Sequence, residues 1–303
     1  MEEHSIRFGD LPLAGTFTRP AGVGPFPAAV LISGSGPLDR DSNHRGMRLD
    51  VMRQVAHALA DAGVASLRYD KRGVGESPGD WLRAGLFDNA TDAASAVATV
   101  ATQPDISPDL VFVVGHGEGA VLATILAARG APVAGLVLLS GTATRGEDVL
   151  LWQATALAPS LPVPVRAVLR LARTDLGAKV AKNHARLKAT TTDVARIGAA
   201  KLNARWFREY MAYDPAVDLM RLRVPVLAVT GSKDLQVDPA DLDGIRRLVP
   251  GPVETYLARD VTHTLRPQPG PASLSAYRAE VRDPVAGDVL ARIVGWFEQY
   301  ASR

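Results

Sequence analysis

The sequence lacks several residues and motifs that define common classes of site. It contains no cysteine, which excludes disulfide bonds, thiolate metal sites and cysteine nucleophiles. It also lacks a His-Glu-x-x-His motif and any cluster of histidines, so we predict no metal site. Two glycine-rich segments, GVGES and GHGEG, lack the spacing and context of nucleotide-binding fingerprints, and we expect no cofactor.

Signals for export and for membrane insertion are missing as well. The first ten residues, MEEHSIRFGD, are acidic and lack the basic and then apolar pattern of a signal peptide. No apolar run approaches the length of a membrane span. We therefore expect a cytoplasmic protein that has no membrane partner.

The chain also lacks a strong net charge, although its charged residues are unevenly distributed along the sequence. The net charge of +2 is too small to indicate nucleic acid binding by itself. The segment 142–223 contains 14 Lys or Arg and 7 Asp or Glu, a net +7, which leaves 2 minus 7, or −5, for the remainder. This excess indicates either solvated helix faces or a basic lid that receives an anionic small molecule or an acidic carrier protein. The sequence does not indicate an oligomeric state.

Short runs rich in Val, Ile and Leu alternate with helical patterns, which predicts βαβ units and a mostly parallel sheet. An antiparallel hairpin formed by 6–8 and 14–18 is predicted to precede them. The predicted strands cover 27–33, 64–70, 110–116, 133–141, 224–232 and 253–258. The predicted helices cover 48–61, 89–103, 118–129, 240–248 and about 284–301. This alternation predicts an α/β fold with helices on both faces of the sheet.

Residues 142–220 interrupt the alternation. They contain helix-like stretches broken at Pro159, Pro162 and Pro164, and they lack a convincing buried strand. We therefore predict a helical cap at 142–220, inserted into a core formed by 1–141 and 221–303. A cap over the strand ends would form most of a substrate pocket.

The segment VVGHGEGA, residues 113–120, has the layout of a nucleophile elbow. An apolar strand enters a glycine-rich turn and a helical pattern follows at once, as in the G-x-S-x-G motif of serine hydrolases. The central position of this motif carries the nucleophilic serine, but here it is Gly117.

Other polar and glycine-rich segments follow the predicted strands, where parallel sheets bind ligands. These segments are SGSGPLDRDSN (33–43), YDKRGVGES (69–77), GSKDLQVDP (231–239) with Asp234, and ARDVTHTLRP (258–267) with His263. With the elbow, they occur in the chain order elbow, acid, histidine.

On these motifs the chain resembles the α/β-hydrolase superfamily, and more closely its esterases and dienelactone-hydrolase-like members. The resemblance covers nearly the whole chain and implies the α/β-hydrolase fold. It also implies that Asp234 is the catalytic acid and His263 the base. The nucleophile alone has no counterpart, because Gly117 occupies its position.

The resemblance further implies an oxyanion hole built from the backbone amides of Ser35 or Gly36 and of Glu118. Asp39 and Arg40 belong to a polar loop that we expect at the pocket rim. Loop stabilisation and substrate contact are both open interpretations for these two residues.

Without a hydroxyl at position 117, the chain cannot form an acyl-enzyme there. A histidine oriented by Asp234 remains a general base, and amides facing an oxyanion remain stabilising, which suits proton abstraction beside a carbonyl. In this respect the chain resembles the acetate-eliminating enzymes of tetronate polyketide biosynthesis. That resemblance implies a carbon–oxygen lyase that converts an acetylated tetronate into an exocyclic alkene, with Gly117 making space and removing a competing attack on the ester.

Three alternatives remain open from the sequence. The first is a carboxylesterase whose serine has been replaced by Gly117, and the second is a non-catalytic protein that binds a small molecule on a disabled hydrolase scaffold. The third alternative is hydrolysis by a water molecule that His263 activates directly.

Overall fold

A central eight-stranded sheet organises the computed structural model, which describes residues 1–158 and 176–301. The predicted breaks at Pro159, Pro162 and Pro164 lie outside the described residues. In chain order the strands are β1 (Glu2–Phe8), β2 (Leu13–Arg19), β3 (Phe26–Ile32), β4 (Asn43–His44), β5 (Met47–Arg48), β6 (Ala65–Tyr69), β7 (Ile106–His116), β8 (Gly135–Leu139), β9 (Val194–Ile197), β10 (Ala200–Asn203), β11 (Val226–Gly231) and β12 (Val253–Ala258).

The central sheet has the order β1-β2-β6-β3-β7-β8-β11-β12. β1 pairs with β2 and β2 pairs with β6 in antiparallel register, whereas the remaining neighbours are parallel. The predicted mostly parallel α/β-hydrolase-type sheet with an antiparallel hairpin at its start is confirmed. Because parallel strands end at one edge, this topology brings the motifs that follow β3, β7, β11 and β12 to the same side of the molecule.

Helices cover both faces of the sheet. In chain order the helices are α1 (Val51–Asp61), α2 (Leu86–Ala101), α3 (Glu118–Ala128), α4 (Gly146–Leu157), α5 (Leu176–Lys188), α6 (Ala204–Ala212), α7 (Pro215–Leu219), α8 (Asp241–Leu248), α9 (Tyr277–Glu280) and α10 (Gly287–Tyr300). Apolar residues of α1 and α10 pack on one face, and those of α2, α3 and α8 pack on the other.

The strand β3 illustrates why the predicted strands are continuous apolar runs rather than alternating ones. Val30 and Ile32 are buried in the core beneath α2 and α3, whereas Ala29 and Leu31 are buried in the core beneath α1 and α10. A strand that is covered on both faces needs an apolar residue at every position. The apolar runs of the sequence therefore reflect the helix layers on either side.

The segment between β8 and β11 contains α4, α5, α6, α7 and the antiparallel hairpin formed by β9 and β10. The sequence predicted no strand there. The strand residues of the hairpin are exposed or half-buried except for Asn203, and Gly198 in the turn has a φ of 61° that favours a tight reversal. Such short, half-exposed strands lack the apolar run that marks a buried strand. The division of the chain into a core and a separate cap stays a prediction.

No membrane-spanning candidate occurs among the helices in the described part of the chain, since none combines the necessary length with sufficient apolar character.

Candidate active site

The backbone at Gly117 has the sharp turn of a nucleophile elbow. Gly117 lies between β7 and α3 with φ 54° and ψ −113°, and its amide donates to the carbonyl of Leu139 at 2.9 Å. The flanking glycines are required by close packing. A Cβ atom on Gly115 would lie 2.1 Å from the carbonyl oxygen of Gly119, and one on Gly119 would lie 2.0 Å from that of Ile32. The motif therefore forms the strand-turn-helix structure of the elbow although the serine is absent.

His263 and Asp234 form a buried pair beside this turn. His263 Nδ1 lies 2.8 Å from Asp234 Oδ2, and Ser140 Oγ donates to the same oxygen at 2.7 Å. The amides of Gln236 and Val237 donate to Asp234 Oδ1 at 2.7 and 3.0 Å. Burial raises the pKa of Asp234, but the charge of His263 and these hydrogen bonds outweigh it and hold the pKa below its usual value. Asp234 is thus a carboxylate that orients the imidazole ring.

The second ring nitrogen of His263 faces the position of the missing nucleophile. A Cβ atom on Gly117 would lie 3.4 Å from His263 Nε2 and 3.5 Å from Cε1. Since Nδ1 is occupied by Asp234, Nε2 is the nitrogen available to accept a proton. The geometry therefore contains a histidine base and its acid, directed at a position that has no hydroxyl group.

Two hydroxyl groups fix the loop that carries His263. Thr262 Oγ1 and Thr264 Oγ1 both donate to Glu280 Oε1, at 2.6 and 2.7 Å, from positions directly before and after the histidine. All three side chains are buried. This network restrains the backbone on both sides of His263, a role that the sequence gave no means to assign.

His116 supports His263 from the side of β7. Its Nε2 donates to the carbonyl oxygen of His263 at 2.9 Å, and the two ring centroids lie 4.7 Å apart. Burial, with the nearby charge of His263, lowers the pKa of His116 to about 3. His116 is therefore neutral near pH 7 and acts as a packing and positioning residue.

The loop after β3 is held by a buried lysine. Lys71 Nζ donates to the carbonyl oxygen of Gly34 and lies 3.3 Å from Glu118 Oε2. The carbonyl of Gly34 and the amide of Ser35 belong to one trans peptide group and point in opposite directions. Lys71 thus fixes the direction of the Ser35 amide. Over residues 1–158 and 176–301, neither the Ser35 amide nor the Glu118 amide donates a hydrogen bond within the chain.

The side chain of Glu118 has contacts that the sequence did not predict. Besides Lys71, its carboxylate accepts from Asn89 Nδ2 at 2.9 Å and from Trp206 Nε1 at 3.1 Å, and the residue is buried. Glu118 therefore links the elbow to α2 and to α6. These partners are far from it in the chain, so no local pattern identified them.

Asp39 and Arg40 are turned towards their own loop and its neighbours. Arg40 Nη2 lies 2.6 Å from Asp70 Oδ2 and 2.7 Å from Glu76 Oε2, and Asp39 Oδ1 accepts from the amide of Asn43 at 2.8 Å. Neither residue lines a cavity beside Gly117 or His263. Of the two interpretations, this arrangement favours loop stabilisation over substrate contact.

Two adjoining cavities lie at the carboxyl ends of the strands. The elbow cavity, of about 80 Å³, is lined by Gly117, His263, Ser140 and Tyr210 among others. The side chamber, of about 280 Å³, is lined by residues that include Gly36, Lys71, Arg72, Trp81, Lys201 and Phe207. Ser35, Glu118, Leu150 and Trp206 line both cavities, which are therefore contiguous. No group of three or more His, Asp or Glu side chains suited to a metal occurs within the described ranges.

The family model described as serine aminopeptidase, S33, matches residues 45–265. The chain belongs to this family, within the α/β-hydrolase superfamily. It is 30% identical over 245 residues to esterase EstD of Thermotoga maritima, an alignment that covers 79% of this chain and 54% of the esterase. The chain thus spans about half the length of that relative.

Solved α/β structures share the fold at low sequence identity. Est1E from Butyrivibrio proteoclasticus, whose structure contains ferulic acid, has a TM-score of 0.65 and 17% identity over 99% of this chain and 100% of its own. The α/β hydrolase GrgF from Penicillium sp. has a TM-score of 0.66 and 15% identity over the whole of both chains. DcsB, solved with a substrate analogue, has the same TM-score, identity and coverage. At these identities the likeness concerns the fold alone.

Proposed function

We propose that this α/β-hydrolase is a lyase that eliminates acetate from an acetylated tetronate-like polyketide intermediate and leaves an exocyclic alkene. The observation that carries the proposal is the position of His263 Nε2. A Cβ atom on Gly117 would lie 3.4 Å from this nitrogen, within reach of a serine hydroxyl at that position. Asp234 is hydrogen-bonded to Nδ1 on the opposite side of the ring. A base without a nucleophile suits proton abstraction.

The elimination has a balanced sequence of bond changes. His263 Nε2 takes the proton from the ring carbon beside a carbonyl, and the electron pair of that C–H bond moves into an enolate. The enolate then forms the exocyclic C=C bond as the C–O bond to acetate breaks, and acetate leaves with that bonding pair. The proton on His263 returns to solvent, so the base is regenerated.

The amides of Ser35 or Gly36 and of Glu118 stabilise the enolate oxygen in this proposal. Lys71 supports it by fixing the peptide group between Gly34 and Ser35. Donors that are already oriented need no reorganisation as charge develops, which is why such sites contribute strongly to rate.

Glycine at position 117 also favours elimination over hydrolysis. A serine in the elbow would attack the acetate ester and yield an alcohol and an acyl-enzyme. Gly117 removes that competing nucleophile and leaves space for the acetyl group beside His263.

The test is incubation with an acetylated hydroxymethyl tetronate in ¹⁸O-labelled water, with both products followed by mass spectrometry. The lyase yields unlabelled acetate and an alkene, and His263→Ala abolishes both. His44→Ala, which changes a histidine outside both cavities, serves as the matched control and should retain full activity. Equal acetate release by the His263→Ala variant and the unchanged protein would refute the proposal.

A carboxylesterase whose serine has been replaced is the second candidate. It is favoured by the identity to a Thermotoga esterase and by the elbow conformation retained at Gly117. This candidate predicts no turnover until Gly117→Ser restores ester hydrolysis through an acyl-enzyme. With the unchanged protein in the same experiment, labelled acetate and an alcohol product would indicate hydrolysis by a water molecule that His263 activates. Binding without turnover in any variant would indicate a non-catalytic protein.

A further inference from the structure

The side chamber has aromatic walls that are held in place. Trp81, Trp206 and Phe207 line it together with Leu150 and Leu202. Rings of this kind bury large apolar area and stack on flat ligands. The chamber therefore suits the conjugated or aliphatic body of a substrate rather than a strongly hydrated group.

The two tryptophans are fixed relative to each other by Asn203, the residue that caps α6. Asn203 Nδ2 donates to the carbonyl oxygens of Trp81 and Ala84, each at 2.7 Å, and its Oδ1 accepts from the amide of Trp206 at 2.9 Å. Trp206 also stacks on Tyr210 with ring centroids 4.7 Å apart. These contacts preform the chamber before any ligand enters, which lowers the entropy cost of binding.

The charges around the chamber are not balanced. Two of its cations have carboxylate partners, since Lys71 lies 3.3 Å from Glu118 Oε2 and Arg72 pairs with both oxygens of Asp92, at 2.5 and 2.8 Å. Lys201, on β10, is exposed, and its side chain has no hydrogen bond or ion pair within residues 1–158 and 176–301. Counted over the described lining residues and their ion-pair partners, the chamber thus has one positive charge in excess, and its complement is a single negative charge.

We propose that the side chamber is a subsite for a monoanionic molecule with a flat or extended apolar body, and that Lys201 pairs with the anionic group. The body lies against Trp81, Trp206 and Phe207, and the reacting end extends past Ser35 into the elbow cavity. This inference rests on the proposed function in one respect, which is that the reacting end of the ligand is placed in the elbow cavity beside His263. Lys201 is then a specificity-determining residue.

A binding experiment with two probes of similar shape tests the charge preference without requiring turnover. The probes are 1-naphthaleneacetate, an anion, and 1-naphthaleneethanol, its neutral counterpart, titrated into the full chain by calorimetry. We expect the unchanged protein to bind the anion more tightly. Lys201→Met should weaken binding of the anion about twofold to fivefold and leave the alcohol unaffected, as expected for an exposed ion pair.

Lys179→Met is the matched control, because Lys179 is an exposed lysine of α5 that does not line the chamber. It should change neither affinity. Trp81→Ala should weaken both probes, because it removes an apolar wall rather than a charge. Equal binding of the two probes by the unchanged protein, or equal effects of Lys201→Met and Lys179→Met on the anion, would overturn the proposal.

The outcome separates this proposal from the proposed lyase activity. A selective loss of anion binding in Lys201→Met supports the subsite even if acetate is never released. Conversely, acetate release that depends on His263, with no effect of Lys201 on the binding of either probe, would retain the lyase and reject the subsite.

Discussion

A Cβ atom on Gly117 would lie 3.4 Å from His263 Nε2, and the nearest backbone atom outside residues 116–118 is the Cα of Gly34 at 3.8 Å. Position 117 therefore has room for a small side chain, and its hydroxyl would fall within hydrogen-bonding reach of the histidine. The φ of 54° opposes substitution, because residues other than glycine are strained in this backbone conformation.

We expect Gly117→Ser to fold and to gain a reactive serine. The strain should lower the free energy of unfolding by about 1 to 3 kcal/mol, measured by urea denaturation. A fluorophosphonate probe should label the variant, because His263 activates the new hydroxyl. Gly117→Ala is the control, with the same strain and no label. Absence of labelling in a folded Gly117→Ser variant would contradict the proton-accepting role of Nε2.

The sequence predicted the sheet well, because its strands are covered by helices on both faces. Complete burial requires continuous apolar runs, and such runs are visible without any tertiary information. Helix ends were less accurate. The helix predicted at 89–103 begins at Leu86, where the Asp88 side chain accepts from the amide of Gly85 at 3.0 Å and caps the first turn.

The candidate site was predictable only as far as local motifs extend. The order of Gly117, Asp234 and His263 along the chain, together with the strand before each motif, was sufficient to propose their proximity. The supporting contacts were not predictable. Ser140 and Asp234 are hydrogen-bonded although they are 94 residues apart in the sequence, and Trp206 and Glu118 are hydrogen-bonded although they are 88 residues apart. Such pairs depend on how the strands and the inserted helices pack, and this information is absent from any single segment.

Asp234→Asn should reduce acetate release about 10³-fold to 10⁴-fold, because an amide cannot hold His263 in the tautomer that leaves Nε2 free to accept a proton. Ser140→Ala removes one of the hydrogen bonds to Asp234 and should cost about tenfold, as expected for a bond to a charged group. The measurement is kcat with the acetylated substrate for each variant. If Asp234→Asn and Ser140→Ala lost activity equally, orientation of His263 by Asp234 would not be the dominant effect.

Lys71 should act as a positioning residue through Gly34. The double variant Lys71→Met/Glu118→Gln removes the buried ion pair without leaving an unpaired charge, so it should fold. Because the Ser35 amide loses its fixed direction, we expect kcat to fall about 10²-fold while KM changes little.

The ion pair formed by exposed Lys188 and half-buried Glu147, 2.7 Å apart, provides the control for this double variant. Lys188→Met/Glu147→Gln removes another Lys–Glu ion pair, whose residues line neither cavity, and should leave both kinetic constants unchanged. A rise in KM with unchanged kcat in Lys71→Met/Glu118→Gln would indicate that Lys71 contributes to substrate binding instead.

His116 should make the stability of the protein depend on pH in a defined range. Burial lowers its pKa from 6.5 to about 3, so between these values the unfolded chain binds a proton that the folded chain does not. The unfolding free energy should therefore fall by about 1 kcal/mol per pH unit as the pH decreases below 6.5, with no contribution from His116 above that value. Urea unfolding of the unchanged protein and of His116→Gln at pH 7, 6 and 5 measures this dependence. The variant should lose this part of the pH dependence, and parallel curves for the two proteins would show that His116 titrates normally in the folded state.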